Sequence, residues 1–331
     1  MENTKQFSRD IIQIKDVELV VDKICSKIKD DIFHNLRRKG GVVGISGGID
    51  SAVTLALAAR AIGPENIFGV MLPEKDSSPD SRILAQKLAD KFGVKTVVED
   101  ISSVLQGFQC YTRRDEAVKR VITNYNPKTD KMKIGIPVEI LEKKLPPVFH
   151  VIVIYADGTQ ESKRLPVNEY LQIVAASNFK QRSRMSMLYY YAELLHFAVL
   201  GTPNKHEVEQ GFFVKYGDGG ADLMPIGSLY KTQVYQLASY LGVPDEIIGR
   251  TPTTDTYSAE QTQEEFFYQL PFEEMDLLWY GWENGYNPQD VARVLDFPED
   301  LVIQNFKNFE RKQKTTEYLR LSPIKDYNFL I

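Results

Sequence analysis

GVVGISGGIDSAVTLALAA, Gly41–Ala59, sets a short apolar run, a polar break holding two adjacent glycines, and a longer apolar run in one line. Val42–Ile45 reads as a buried strand and Ser51–Ala61 as a helix, with Ser46-Gly47-Gly48-Ile49-Asp50 as the turn between them. Adjacent glycines weaken either kind of element, so the chain needs bare backbone at this point. A strand-to-helix turn made of Ser, Gly and Asp can direct N–H groups and hydroxyls onto an anion at the helix N-terminus, and phosphate is the expected ligand. A bare Ser-Gly-Gly can also be a packing turn. The Lys-Ser/Thr ending of a Walker loop is missing.

The rhythm continues on both sides. Val17, Val20, Val21, Ile24, Ile28 and Ile32 fall at helical spacing and predict an amphipathic helix over Val17–Leu36. Ile67–Leu72 is the second strand. Ser78 before Pro79 and Asp80 opens a helix that runs through Phe92, and Lys95–Ile101 is a third strand. Strands alternating with helices imply parallel crossovers, hence an α/β doubly wound sheet with its ligand at the C-terminal strand edge, where the Ser-Gly-Gly turn lies.

From about 108 to 172 the alternation stops. Tyr111–Leu145 carries nine Lys/Arg against five Asp/Glu, and Asp157-Gly158 between Val151–Tyr155 and Gln160–Leu165 is a hairpin signal. The pattern makes this segment an insertion within one domain spanning residues 1–331. Alternation returns with a helix over Phe179–Leu195, a short strand at Phe197–Gly201 and a helix over Leu229–Leu241. Two further helices, the second opened by Pro298-Glu299-Asp300, form a C-terminal helical cap over 280–331.

Bulk properties narrow the function. A net charge of -5 gives no global drive toward nucleic acid or membrane, which favours small-molecule chemistry. Two distant cysteines and four scattered histidines offer neither a disulfide framework nor a zinc signature, so a reducing compartment is expected. The N-terminal stretch has no apolar signal core, and no run reaches the about 18 apolar residues of a membrane span. A cytoplasmic enzyme is the expectation.

Three further stretches carry a resemblance. The Ser46–Ser51 loop resembles the SGGxDS pyrophosphate loop of N-type ATP pyrophosphatases. LGTPNKHEVEQGFFVKYGDGGADLMPIGSLYKTQVYQLASYLGVPDEII resembles the ammonia-dependent NAD synthetases, and NFKQRSRM, Asn178–Met185, matches their N-x-K-x-R-x-R-M segment. With Pro252-Thr253 added, the resemblance covers nearly all of the chain outside 108–172. It implies an adenine nucleotide α-hydrolase-like fold, ATP as co-substrate and Mg²⁺. The implied reaction is amidation of the nicotinate carboxylate of deamido-NAD through an acyl-adenylate.

The same resemblance implies roles. Gly44, Ser46, Gly47, Gly48, Ser51, Leu72, Thr202 and Thr253 would contact ATP. Asp50 and Glu207 are the implied metal pair, with Lys231 on phosphate. Lys215, Asp218, Asp222 and Arg182 would serve the substrate and the loop over its carboxylate, and Asp50, Lys231 and Asp218 are the expected catalytic group. Each has a plain alternative: Glu207 alone reads equally as a surface acid, Lys231 as a solvated lysine, Asp222 as a turn or capping aspartate. Arg182 and Arg184, two apart on a helix, face different ways, one toward substrate phosphates and the other toward an internal ion pair.

Thr256-Tyr257 departs from the family's usual Leu and Trp, and segment 108–172 replaces a shorter connection. Both leave room for a different carboxylate, such as a sugar acid; a non-catalytic nucleotide-binding homologue is a third reading, against which the intact Ser46, Asp50, Glu207 and Lys231 argue. As a lid the segment would cover the acceptor; as an ornament it would serve stability or a dimer. No glutaminase domain is recognised before the loop, so the expected nitrogen source is free ammonia or a separate glutaminase. A homodimer built on the N-terminal helix and the Asn178–Leu195 helix is expected.

Overall fold

The computed structural model describes residues 5–136, 148–253, 256–262 and 270–325. The apolar stripe read from the sequence forms α1, Val17–Asp30, extended by a π-turn over Asp31–Asn35. Asp16 accepts the Leu19 N–H at its start, satisfying one of the donors a helix N-terminus leaves open. Four parallel strands follow the predicted positions: β1, Gly41–Gly44; β2, Ile67–Met71; β3, Lys95–Val98; and β7, Ala198–Leu200. Their order is β3-β2-β1-β7. The chain therefore changes direction across the sheet between β1 and β7. Loops leaving those two adjacent strands border the crevice in which such sheets hold ligands.

One face of the sheet is covered by α1, α2 (Ile49–Ile62), α3 (Pro79–Phe92), α8 (Lys231–Leu241) and α9 (Asp245–Ile248), closing over Val43, Ile45, Leu55 and Leu200. The other face packs Val42, Val70 and Val199 under α4 (Ser102–Gly107), α5 (Cys110–Val121) and α6 (Val167–Leu195). Burial of α2 on nearly every side explains its continuous apolar run.

Segment 108–172 is structured throughout its described part. Its basic beginning is α5, and β4 (Lys131–Gly135), β5 (His150–Ile154) and β6 (Gln160–Arg164) form an antiparallel sheet in the order β4-β5-β6. Asp157-Gly158 makes the expected turn, with Gly158 at φ +85° and the Asp157 carboxylate accepting the Thr159 N–H. Part of the basic stretch, 137–147, lies outside the described residues. The helix expected to start at Phe179 begins at Val167, inside the segment, so the boundary at 172 cuts a continuous helix.

At the C-terminal end, α11 (Pro288–Leu295) and α12 (Glu299–Arg320) match the two expected helices. They are preceded by α10, Phe272–Glu283, so the cap begins before residue 280. Its core joins Trp279, Val291, Val302 and Phe309 to Phe7 and Ile12 of the N-terminal segment. Among the described residues no helix is long and apolar enough to cross a membrane.

Candidate active site

The β1–α2 turn is built by its small residues. Gly47 adopts φ +75°, and a Cβ there would lie 2.4 Å from the Ser81 carbonyl oxygen, so only glycine fits between this turn and α3. Ser46 and Ser51 brace the turn: the Gly48 N–H donates to Ser46 Oγ at 3.3 Å, the two hydroxyls lie 3.2 Å apart, and Ser51 Oγ donates to the Gly48 carbonyl at 3.0 Å. The positive end of α2 is thereby fixed toward the crevice, an arrangement suited to phosphate.

That crevice is a cavity of about 850 Å³. Of the residues singled out in the sequence, Gly44, Ser46, Gly48, Asp50, Ser51, Leu72, Thr202, Glu207, Asp218, Thr253, Arg182 and Lys215 line it. Gly47 supports the turn from behind. Lys231, fully buried, stands behind Asp50 and donates to its Oδ2.

Asp50, Glu207 and Lys231 form the charged centre. Asn204 caps α7 (Lys205–Gln210): its side chain accepts from the His206 and Glu207 N–H groups while Glu207 Oε2 accepts the Asn204 N–H at 2.9 Å. This reciprocal capping box fixes the Glu207 carboxylate, and Asn204 Nδ2 also donates to Asp50 Oδ1 at 3.3 Å. Burial, and then the Asp50 charge, push the Glu207 carboxyl up to about 8. Burial works against the charge on Lys231, but Asp50 and then Glu207 outweigh it and hold the ammonium above its ordinary range.

Two repelling carboxylates beside a phosphate-type turn suit a hard divalent cation that retains water, so the donor chemistry fits Mg²⁺. Among the described residues no group of three or more His, Cys, Asp or Glu is placed to hold a metal ion.

The segment after α7 supplies Asp218, whose Oδ1 accepts the Val214 N–H at 2.7 Å and whose carboxyl burial pushes up to about 6. Lys215 Nζ donates to the Tyr318 and Leu321 carbonyls at 2.7 and 2.9 Å, tying the cavity wall to the end of α12. Arg182 and Arg184 both line the cavity, and each guanidinium Nε donates to a carbonyl, Lys215 O and Leu72 O, both at 3.3 Å. Arg184 also bears electrostatically on the buried Asp218 carboxylate, opposing the effect of burial on it. Asp222 stands outside the cavity lining; its carboxylate accepts the Val199 N–H at 2.8 Å and the Tyr189 hydroxyl at 3.0 Å.

Sequence reasoning missed Asp276. Fully buried on α10, its carboxylate accepts the Thr232 N–H at 2.8 Å and the Thr232 hydroxyl at 2.6 Å, and lies 2.6 Å from His206 Nε2. One side chain thus caps the helix that begins with Lys231 and braces the residue next to Glu207. No local signal marks it, because its partners lie far away in the chain.

The profile described as NAD synthase matches residues 20–135 and 140–323, including all but four positions of segment 108–172. A relative from Rhizobium meliloti (strain 1021) named NH(3)-dependent NAD(+) synthetase is 45% identical over 323 residues, 97% of this chain and 95% of the relative. Among solved structures, an NMN synthetase from Francisella tularensis superposes with TM-score 0.64 at 22% identity, covering 94% of this chain and 98% of that one. The NH3-dependent NAD synthetase from Campylobacter jejuni gives TM-score 0.60 at 22% identity, covering 94% and 99%. These neighbours share the adenine nucleotide α-hydrolase-like arrangement of the sheet and helices described above.

Proposed function

The chain belongs to the NAD synthase family, and we propose that it is an ammonia-dependent NAD synthetase, which adenylates the nicotinate carboxylate of deamido-NAD and replaces AMP with ammonia. The observation that carries this reading is the convergence of the Ser46–Ser51 turn with Asp50, Glu207 and Lys231 between β1 and β7.

A carboxylate does not react with ammonia at neutral pH, so the site must first create a leaving group. The turn at the start of α2 holds the β- and γ-phosphates with its N–H groups and the Ser46 hydroxyl. Lys231 stabilises the negative charge that grows on pyrophosphate as the bond to the α-phosphorus breaks. Asp50 and Glu207 would hold Mg²⁺, which when bound neutralises phosphate charge. Thr253 contacts phosphate from the opposite wall. Lys215 and Asp218 order the loop over the acyl-adenylate, and Arg182 faces the substrate. Ammonia adds to the acyl carbon, its nitrogen gives up a proton to solvent, and the tetrahedral centre collapses by breaking the C–O bond to AMP, which leaves.

A second reading keeps the adenylation and changes the carboxylate. The presence of Ile134 and Phe149 from segment 108–172 in the cavity wall favours it, because these side chains bear on acceptor shape. We further infer a cytoplasmic homodimer, with exposed Leu19 on α1 and Tyr190 and Leu194 on α6 as its apolar contacts. Nitrogen comes as free ammonia or from a separate glutaminase.

Incubation with ATP, Mg²⁺, ammonium and deamido-NAD, following AMP, pyrophosphate and NAD together, tests the main reading. Equal yields of the three support it. AMP formed only with another carboxylate selects the second reading, and no AMP with any carboxylate contradicts both.

A further inference from the structure

The wall that carries Thr253 is held by segment 108–172. Strand β4 is the outer strand of its sheet, so one row of its backbone groups needs a partner. Residues 258–261 supply it. The Ala259 N–H donates to the Met132 carbonyl at 3.1 Å, the Met132 N–H donates to Ser258 Oγ at 2.9 Å, and Gln261 Nε2 donates to the Ile134 carbonyl at 3.0 Å. Tyr257, 4% exposed, enters the apolar cluster of Val118, Met132, Ile134 and Ile173.

A second attachment is ionic. Lys180 on α6, 1% exposed, donates to the Thr256 carbonyl at 3.0 Å, to Glu74 Oε1 at 2.8 Å and to Asp76 Oδ2 at 2.9 Å. Arg114 of α5 bridges Asp76 at 2.6 Å and Asp115 at 2.8 Å, and the Tyr111 hydroxyl donates to Glu74 Oε2 at 2.7 Å. One buried cluster therefore joins the loop after β2, α5 and the segment beyond Thr253. At the other end, Arg250 donates to Ser81 Oγ at 3.0 Å, and Thr253 pairs with Thr262 as an antiparallel bridge.

We propose that segment 108–172 is a positioning clamp: the outer edge of β4, with Ser258 and Gln261 as its positioning residues, holds the Thr253-bearing segment over the ATP phosphates before ATP arrives. The proposal rests on reading the cavity as the ATP site. Ordering a loop costs backbone entropy at every residue that is fixed. A clamp built into the fold meets that cost during folding, leaving less to be drawn from ATP binding. Arg114, Asp115 and Lys180 are its buried attachments.

Two measurements test it. In the wild-type protein without ATP, hydrogen exchange at the Ala259 amide should be as slow as at β4 amides. Exchange that becomes slow only when ATP is added would overturn the clamp. In the double variant Ser258→Ala, Gln261→Ala, amides of 256–262 should exchange at least about tenfold faster and the ATP KM should rise about tenfold, with kcat and the acceptor KM within about twofold. Ser258→Thr, which keeps the hydroxyl, should retain the wild-type ATP KM when introduced alone. Faster exchange with an unchanged ATP KM would also overturn the proposal. Absence of ATP binding by the wild-type protein would instead defeat the functional reading beneath it, whereas use of another carboxylate leaves the ATP measurements valid with that acceptor.

Discussion

Lys231 and Asp50 meet as an ion pair in which the ammonium is wholly buried and the carboxylate faces the cavity. The lysine is thus aimed by an acid that itself belongs to the site, and the buried Glu207 carboxyl, held toward its protonated form, stands beside the pair. Removing either partner changes how the other is held.

Asp50→Asn keeps side-chain size and an acceptor for Asn204 while removing the charge. Pyrophosphate release should fall about 10²-fold or more, and the melting temperature should fall by only a few degrees, because loss of the Asp50 charge lets Glu207 ionise more readily and balance Lys231. Release at the wild-type rate would remove Asp50 from the site.

Asp276→Ala removes the acceptor of the Lys231 and Thr232 N–H groups at the α8 N-terminus and leaves buried His206 without its carboxylate. Urea unfolding should record a loss of about 3 kcal/mol, with kcat falling as Lys231 and Glu207 lose their common brace. Unchanged stability and kcat would show that Asp276 positions neither.

The site also has a pH signature at Asp218. Burial pushes its carboxyl up to about 6 in the folded chain, from an ordinary 3.8. Between those values the folded state holds a proton that the unfolded state has released, so this group makes stability fall as pH rises through the window and level off above it. Asp218→Asn retains the acceptor for the Val214 N–H and should lack this contribution. Urea midpoints at pH 4, 5, 6 and 7 (a series spanning about the two pKa values) check the difference; parallel curves for the two proteins would contradict it.

Exposed Tyr190 and Leu194 lie one helical turn apart on α6. Tyr190→Glu with Leu194→Glu should convert a dimer to a monomer in sedimentation and raise the dinucleotide KM if the two copies share that site. A fully active wild-type monomer at micromolar concentration would refute the shared site.

Legibility in the sequence followed the range of the interactions. The β1–α2 turn was readable because strand, glycines and helix are contiguous and each has its own local reason. Helix α5 was hidden because Arg114 and Asp115 look like solvent-facing charges, whereas the fold buries both in one ionic cluster. The start of α6 at Val167 was missed because Val167 and Leu171 are exposed and blur its apolar stripe. Asp276 and the β4 contacts of Ser258 and Gln261 arise from pairings across the fold, for which local composition gives no sign. Asp222 sits in a family-like run, yet its bonds to Val199 and Tyr189 organise the β7 edge.

The central claim, that the acceptor carboxylate attacks the α-phosphorus of ATP before ammonia arrives, is tested most directly by isotope transfer. Deamido-NAD labelled with ¹⁸O in its nicotinate carboxylate is turned over with ATP and ammonium, and the products are weighed by mass spectrometry. One labelled oxygen should appear in the phosphate of AMP, with none in pyrophosphate. Label in orthophosphate accompanied by ADP, or unlabelled AMP alongside NAD, would contradict the account.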